Sequence, residues 1–255
     1  MKSHLFQYTL ALADDQLILG HRLSEWIGQA PVLEEELALG NIGLDLIGAA
    51  RSLYTYAGEV EGQVTGNKGR DEDKLAYLRD APAYRNCLLA ELPNGDFAET
   101  MARIAFYAAV MVPYWEALER STDATLAAIA AKSVKESRYH LRHGAEWLIR
   151  LGDGTEESHS RAQEAIDELW PYAGELFQMS AEETALLHAG ISVDRAALKT
   201  VWDKTIDPIL REATLKRPAD VWPQSGGRTG RHTEHLGHLL SVMQFLQRAY
   251  PGATW

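Results

Sequence analysis

Cysteine is nearly absent from this chain: Cys87 is the single one among 255 residues. That excludes an intrachain disulfide and any cysteine-rich metal site, and a reducing compartment, the cytoplasm, is the natural expectation. β-Branched residues are scarce as well. Valine and isoleucine number 21 against 68 alanines and leucines. Branched side chains fill sheets whereas unbranched ones lose little rotamer freedom in helices, so the ratio argues against an all-β fold. Long hydrophobic runs are missing too; the longest uncharged apolar stretch, Ile104–Trp115, has twelve residues and is too short to span a bilayer. Positive charge is in deficit, with 25 Lys and Arg against 36 Asp and Glu, a net charge of −11. A phosphate backbone or an anionic leaflet repels such a chain, so neither nucleic acid nor membrane is expected as a partner. There is no Gly-x-Ser-x-Gly, no P-loop and no dinucleotide fingerprint.

What is present is helical periodicity. Leu5, Tyr8, Leu12, Leu19, Leu23 and Trp26 share one stripe of a first helix over about 5–27. Leu10, Leu17 and Ile27 lie off that stripe, so the helix is expected to be covered on more than one side. Although the stretch before Ala11-Leu12-Ala13 imitates a signal peptide, Gln7 interrupts it and the helical pattern runs on through Asp14 and Asp15. A second helix is expected from Pro31 to about Gly58, with Glu34, Glu35 and Glu36 at its positive end. Its Gly40, Gly43 and Gly48 suggest close helix–helix approach. A polar loop, Gly62–Arg70, follows, then short helices over about 72–79 and 83–89 and a turn at Leu92-Pro93-Asn94-Gly95. Asp96 caps the next long helix, and another spans 124–151 with Gly152 closing it. Thr155 caps a helix that Pro171 should stop; a short helix covers 182–188; Asp194 caps one reaching about Lys216. The last helix places Leu236, Leu239, Leu240, Met243, Leu246 and Tyr250 on one face. No linker or repeat divides the chain, so residues 1–255 are expected to form one all-α domain, a four-helix core bundle over about 5–151 with additional C-terminal helices over about 155–250.

Carboxylate-bridged dimetal bundles need a Glu from each of two helices and Glu-x-x-His from each of the other two. The chain has one Glu-x-x-His, Glu156/His159, outside the four long helices. The nearest equivalents, Asp45 with Gly48 and Glu136 with Tyr139, place no imidazole on a metal. What remains is a polar set on otherwise apolar helices: Asn41, Asp45 and Arg51 on the second, Lys132, Lys135, Glu136, His140 and His143 on the fourth. One account is a solvated face with Lys132–Glu136 as a surface pair. The other is a buried cluster of Asn41, Asp45, Lys135, Glu136 and His140 in place of a metal site, with Asp45 in reach of at least one of the last three; charges removed from water must be paired. In the tail, His235 and His238 have zinc-ligand spacing without a third ligand, and Arg228 and Arg231 sit in a glycine-rich loop suited either to a phosphate or to a plain turn.

Leu39-Gly-Asn-Ile-Gly-Leu-Asp-Leu-Ile-Gly-Ala-Ala-Arg51, Pro93-Asn-Gly-Asp-Phe97, Lys132-Ser-Val-Lys-Glu-Ser-Arg-Tyr-His-Leu-Arg142, Arg150-Leu-Gly-Asp-Gly-Thr155 and His232-Thr-Glu-His-Leu-Gly237 closely resemble the structural C-subunit family of ring-1,2-phenylacetyl-CoA epoxidases. The likeness runs from about residue 5 to Trp255. It implies a ferritin-like fold and membership of a bacterial multicomponent mono-oxygenase. It further implies that this chain is a non-catalytic structural subunit without a cofactor of its own. Its partner is the di-iron catalytic A subunit, and a reductase subunit brings flavin, an iron–sulfur cluster and NADPH electrons. The alternative is a self-sufficient dimetal-carboxylate oxygenase or oxidase. A partner needs an apolar face, and one of two surfaces is expected to provide it. One comprises Leu17, Ile18 and Ile47 on the first two helices. The other is the second stripe of the last helix, His235, His238, Val242 and Phe245, unless the helix from Asp194 covers it.

Overall fold

A computed structural model describes residues 1–220 and 222–253; Trp255, where the likeness ends, lies outside them. In chain order the helices are α1 (Lys2–Ser24), α2 (Leu33–Thr65), α3 (Glu72–Tyr77), α4 (Leu88–Glu91), α5 (Phe97–Leu118), α6 (Ala124–Gly152), α7 (Glu156–Ala173), α8 (Ala181–Leu187), α9 (Arg195–Glu212), α10 (Glu234–Met243) and α11 (Phe245–Ala249). No strand occurs among the described residues. The caps are those the sequence signals: Asp96 accepts from the Glu99 amide, Thr155 from Ser158 and Asp194 from Ala197. α1 packs along α2, α5 along α6, and α2 closes on α6; α7 and α9 lie on α5, while α4 and α8 cover α1.

Close approach of α1 and α2 rests on two facing glycines. A Cβ at Gly20 would stand 3.1 Å from the Gly43 carbonyl, and one at Gly43 3.2 Å from that of Gly20. Gly40 and Gly48 play no such part. Nothing lies within 4 Å of a Cβ at Gly40, and only the Lys132 ammonium, at 3.8 Å, near one at Gly48.

Several helix ends differ from the sequence expectation, each for a local reason. α2 runs past Gly58 and Gly62 to Thr65 because the returning segment lies on those glycines; a Cβ at Gly58 would clash with the Arg70 carbonyl. Arg70 is tied to Glu61 through its guanidinium at 2.6 Å and its amide at 2.9 Å, so the polar loop shrinks to the stretch after the left-handed Gly66. The helix expected over 83–89 is a 3₁₀ turn, an extended stretch and the short α4. The reason is that the amides of Arg85, Cys87 and Leu88 donate to Asp14, Asp15 and Glu175 at 2.7–2.8 Å instead of to helical carbonyls. Pro171 lies inside α7, which ends two residues later. α9 ends at Glu212, four residues short of Lys216, as the chain turns through Thr214 at φ 58°. The last helix breaks at Gln244, whose buried amide donates to the carbonyls of Arg79 and Ala76 at 3.0 and 3.3 Å. Beyond the break Leu246 and Tyr250 face solvent, not the core.

The interior holds four fully buried carboxylates, Asp14, Asp15, Glu91 and Glu175. Asp14 accepts from the Tyr54 hydroxyl at 2.5 Å and from the Arg79 guanidinium. Asp15 accepts from Arg228 at 2.6 Å. Glu91 accepts from His232 Nδ1 at 2.7 Å, the Thr233 amide at 2.6 Å and Asn86 at 2.8 Å, and Glu175 from the Gly226 amide at 2.8 Å. These bonds hold residues 79–91 and 226–233 against α1. Buried ions stay charged only when paired and hydrogen-bonded, and removing one partner strands the other. Asp14→Ala is therefore expected to lower unfolding free energy by about 3–5 kcal/mol, read as a shifted urea midpoint at unchanged m-value.

Candidate functional site

The four long helices meet at a common centre. A cavity of about 10 Å³ there is lined by Leu19 and Leu23 of α1, Ile42 and Leu46 of α2, Ile104, Tyr107, Ala108 and Met111 of α5, and Ser137 and His140 of α6. The volume is that of about one water, and the walls are mostly aliphatic. A pair of metal ions in such a bundle requires four inward carboxylates with two imidazoles. The lining offers one imidazole and no carboxylate, and no group of three or more His, Cys, Asp or Glu side chains able to hold a metal occurs among the described residues. The residues present do not fit a dimetal centre.

Polar side chains instead gather along the seam where α2 closes on α6. His140, buried, places Nε2 3.1 Å from Asp45 Oδ2; the Asp45 side chain keeps 35% exposure. Of the other residues of the expected cluster, Asn41 and Lys135 are exposed, and Glu136 turns outward to Lys132 at 3.3 Å. The five-residue buried cluster is thus one histidine–aspartate pair beside a surface ion pair. The reason is spacing. Lys135 lies five residues before His140, which rotates it to the outer side of α6.

A second pair lies further along the seam; the sequence singles out His143 but not its partner Glu35. His143 Nε2 stands 3.0 Å from Glu35 Oε2, in ion-pair range but without hydrogen-bond alignment. Tyr139 stacks on His143 with ring centroids 5.9 Å apart. Burial lowers the His143 pKa, and the attraction of Glu35 only partly opposes it. In the sequence Glu35 is one of three charges at a helix start, yet it alone of the three is buried. The signal that distinguishes it is the apolar neighbour at the next turn on the same face, Leu39.

The tail resolves otherwise than as a zinc or phosphate site. Both ring nitrogens of His232 face oxygens, Glu91 and the Tyr84 carbonyl. His238 is exposed, and Arg228 is paired with buried Asp15. Of the two expected partner faces, the first needs correction. Leu17 and Ile18 are buried, at 3% and 0% exposure, because α4 and α8 cover the side of α1 that α2 leaves free. Ile47 is half-buried against Gly20. On the second face Val242 and Phe245 are exposed, at 81% and 61%, and His235 is half-buried. The helix from Asp194 packs on α5 and α6 and leaves this stripe open.

The described residues are all-helical, and the long helices enclose a mostly aliphatic centre. The chain belongs to the phenylacetic acid catabolic protein family, whose model it matches over residues 1–255, and it shares that family's ferritin-like, all-α class. It is similar to the C subunit of the 1,2-phenylacetyl-CoA epoxidase of Escherichia coli strain K12, at 47% identity over 253 residues covering 99% of this chain and all of that protein. No helix of the described residues is long and apolar enough to cross a membrane.

Two measurements test the seam. Asp45→Ala is expected to cost about 1 kcal/mol in urea unfolding, far less than Asp14→Ala, because a partly exposed pair is screened by water. His143 has a folded pKa below its unfolded value, so the neutral ring is favoured by folding; stability is full above the ordinary histidine range and falls as pH drops from about 7 towards 5. His143→Gln should flatten that part of the stability–pH curve, whereas an unchanged slope would place the titration elsewhere.

Proposed function

We propose that the chain is the non-catalytic structural subunit of a multicomponent mono-oxygenase that epoxidises the ring of phenylacetyl-CoA in aerobic phenylacetate degradation. It pairs with the di-iron catalytic subunit and holds it in working shape, in the cytoplasm; a separate reductase subunit passes NADPH electrons through flavin and an iron–sulfur cluster. The observation that carries this is the bundle centre. Oxygen activation at a carboxylate-bridged pair of metals needs inward carboxylates and imidazoles, whereas the centre is lined by Leu19, Ile42, Ile104 and Met111 with His140 as its one imidazole. Similarity to a named epoxidase subunit over the whole chain supplies the reaction. The competing proposal, a self-sufficient dimetal oxygenase, has no ligand set to rest on. A structural partner acts through its surface, since obligate interfaces resemble a core cut in half.

Reconstitution separates the two. With reductase, NADPH, O₂ and phenylacetyl-CoA, the chain alone should bind no stoichiometric iron and turn over no substrate, and omitting it from the full complex should abolish activity. Two irons per chain by elemental analysis, or product formed by the chain and reductase alone, would sink the proposal.

A further inference from the structure

A cleft of about 750 Å³, within the size range of small-ligand sites, opens where α8 packs on α1. Its apolar part is the Tyr8 ring, Ala11 one turn further along α1, and Met179 just before α8. The Tyr8 hydroxyl is engaged by that of Tyr114 at 2.5 Å, so Tyr8 contributes mainly its ring. The polar part is rich in donors. Arg228, at 9% side-chain exposure, gives one Nη to Asp15 at 2.6 Å and the other to the Arg85 carbonyl at 3.0 Å. Its Nε is buried and has no partner, and a buried donor is costly unless something supplies an acceptor. Arg85 turns one Nη to the carbonyls of Pro82 and Tyr84 at 2.7 and 2.6 Å. The rest of its guanidinium has no carboxylate partner among the described residues.

The other charges here are already matched. Asp14 serves Arg79, Asp15 serves Arg228, and Glu183 takes Arg195 at 2.6 Å. Buried Glu175 accepts the amides of Leu88 and Gly226 at 2.7 and 2.8 Å. What remains at the cleft is one cation, Arg85, and one anion, the half-buried Glu182. Such a balance does not attract anions in general. It offers a single carboxylate a guanidinium to meet, and it makes a second negative charge on the same ligand costly, because Glu182 lines the same cleft.

The geometry points to this cleft as a binding site for a small monocarboxylic acid with a compact apolar body. The carboxylate meets Arg85 and gives the idle Nε of Arg228 an acceptor; the body lies on Tyr8, Ala11 and Met179. A flat ring suits that surface best, since a tyrosine ring and a thioether both pack well against aromatic faces. Dianions such as inorganic phosphate are disfavoured by Glu182. The site is separate from the bundle centre and from the seam of α2 with α6, and its assignment does not depend on the proposed function.

Titration calorimetry on the full-length chain tests this, with melting temperature measured on every variant. Phenylacetate, one ring and one carboxylate, should bind one to one. Acetate, which lacks the body, should bind about tenfold more weakly or worse, and inorganic phosphate should not bind. Arg85→Gln should weaken phenylacetate binding about tenfold or more, the share of one charge-assisted hydrogen bond. Glu182→Gln should instead tighten it, by removing a nearby like charge. Ala11→Phe, which fills the apolar part, should abolish binding; if that variant fails to fold, the two charge variants decide alone. Absence of phenylacetate binding at millimolar concentration, acetate binding equally well, or phosphate binding more tightly would each overturn the site. So would an affinity that neither Arg85→Gln nor Glu182→Gln alters. None of these results touches the subunit proposal, which stands or falls on reconstitution.

Discussion

Asp14 and Asp15 stand next to each other on a helix with no solvated side, and the rest of the molecule is arranged around that fact. Adjacent residues on a helix point about 100° apart, so the two carboxylates serve different neighbours. Asp14 reaches Tyr54 of α2 and Arg79 beyond α3, and Asp15 reaches Cys87 and Arg228. An unpaired ion at either place would cost several kcal/mol. The segments that follow α2 must therefore come back to α1, and they give up helical hydrogen bonds to do so. Burial, reinforced by the Asp15 charge and only partly opposed by Arg228, also pushes the Cys87 thiol well above its usual range, which leaves it inert.

Helix content, order and caps can be read from the sequence because they depend on local signals. The 3.6-residue stripe of α1 and the capping residues Asp96, Thr155 and Asp194 act within one or two turns, and the structure keeps them. Departures arise wherever a distant partner overrides a local preference. Gly58 and Gly62 look like a helix end until Arg70 folds back onto them. Gln244 looks like one more helical residue, although its amide is needed between two carbonyls some 165 residues earlier in the chain. Periodicity along one segment contains no information about such partners.

The site is less legible than the fold. Spacing along α2 and α6 lists Asp45 and His140 among several polar residues without choosing which of them meet. Burial is harder to infer. Lys135 and Asn41 share helices with inward residues yet point to water, while Glu35 looks like surface charge and is buried. The off-stripe leucines of α1 hold a further clue. A helix covered on several sides has nowhere to put Asp14 and Asp15 except inside. The same inference removes Leu17 and Ile18 from any outer face.

The pairing of Asp15 with Arg228 spans 213 residues, and that of Glu91 with Thr233 spans 142. During synthesis the acidic halves leave the ribosome first, and they wait without Arg228, His232 and Thr233 until the segment after residue 226 emerges. A nascent chain therefore cannot close its interior early, and a product ended prematurely before residue 226 carries permanent uncompensated charge at its centre. Such a fragment opens readily and is exposed to proteolysis. The long-range clamp thus acts as a check on progress: only a chain translated past residue 233 can fully pair the charges of its first helix and of Glu91.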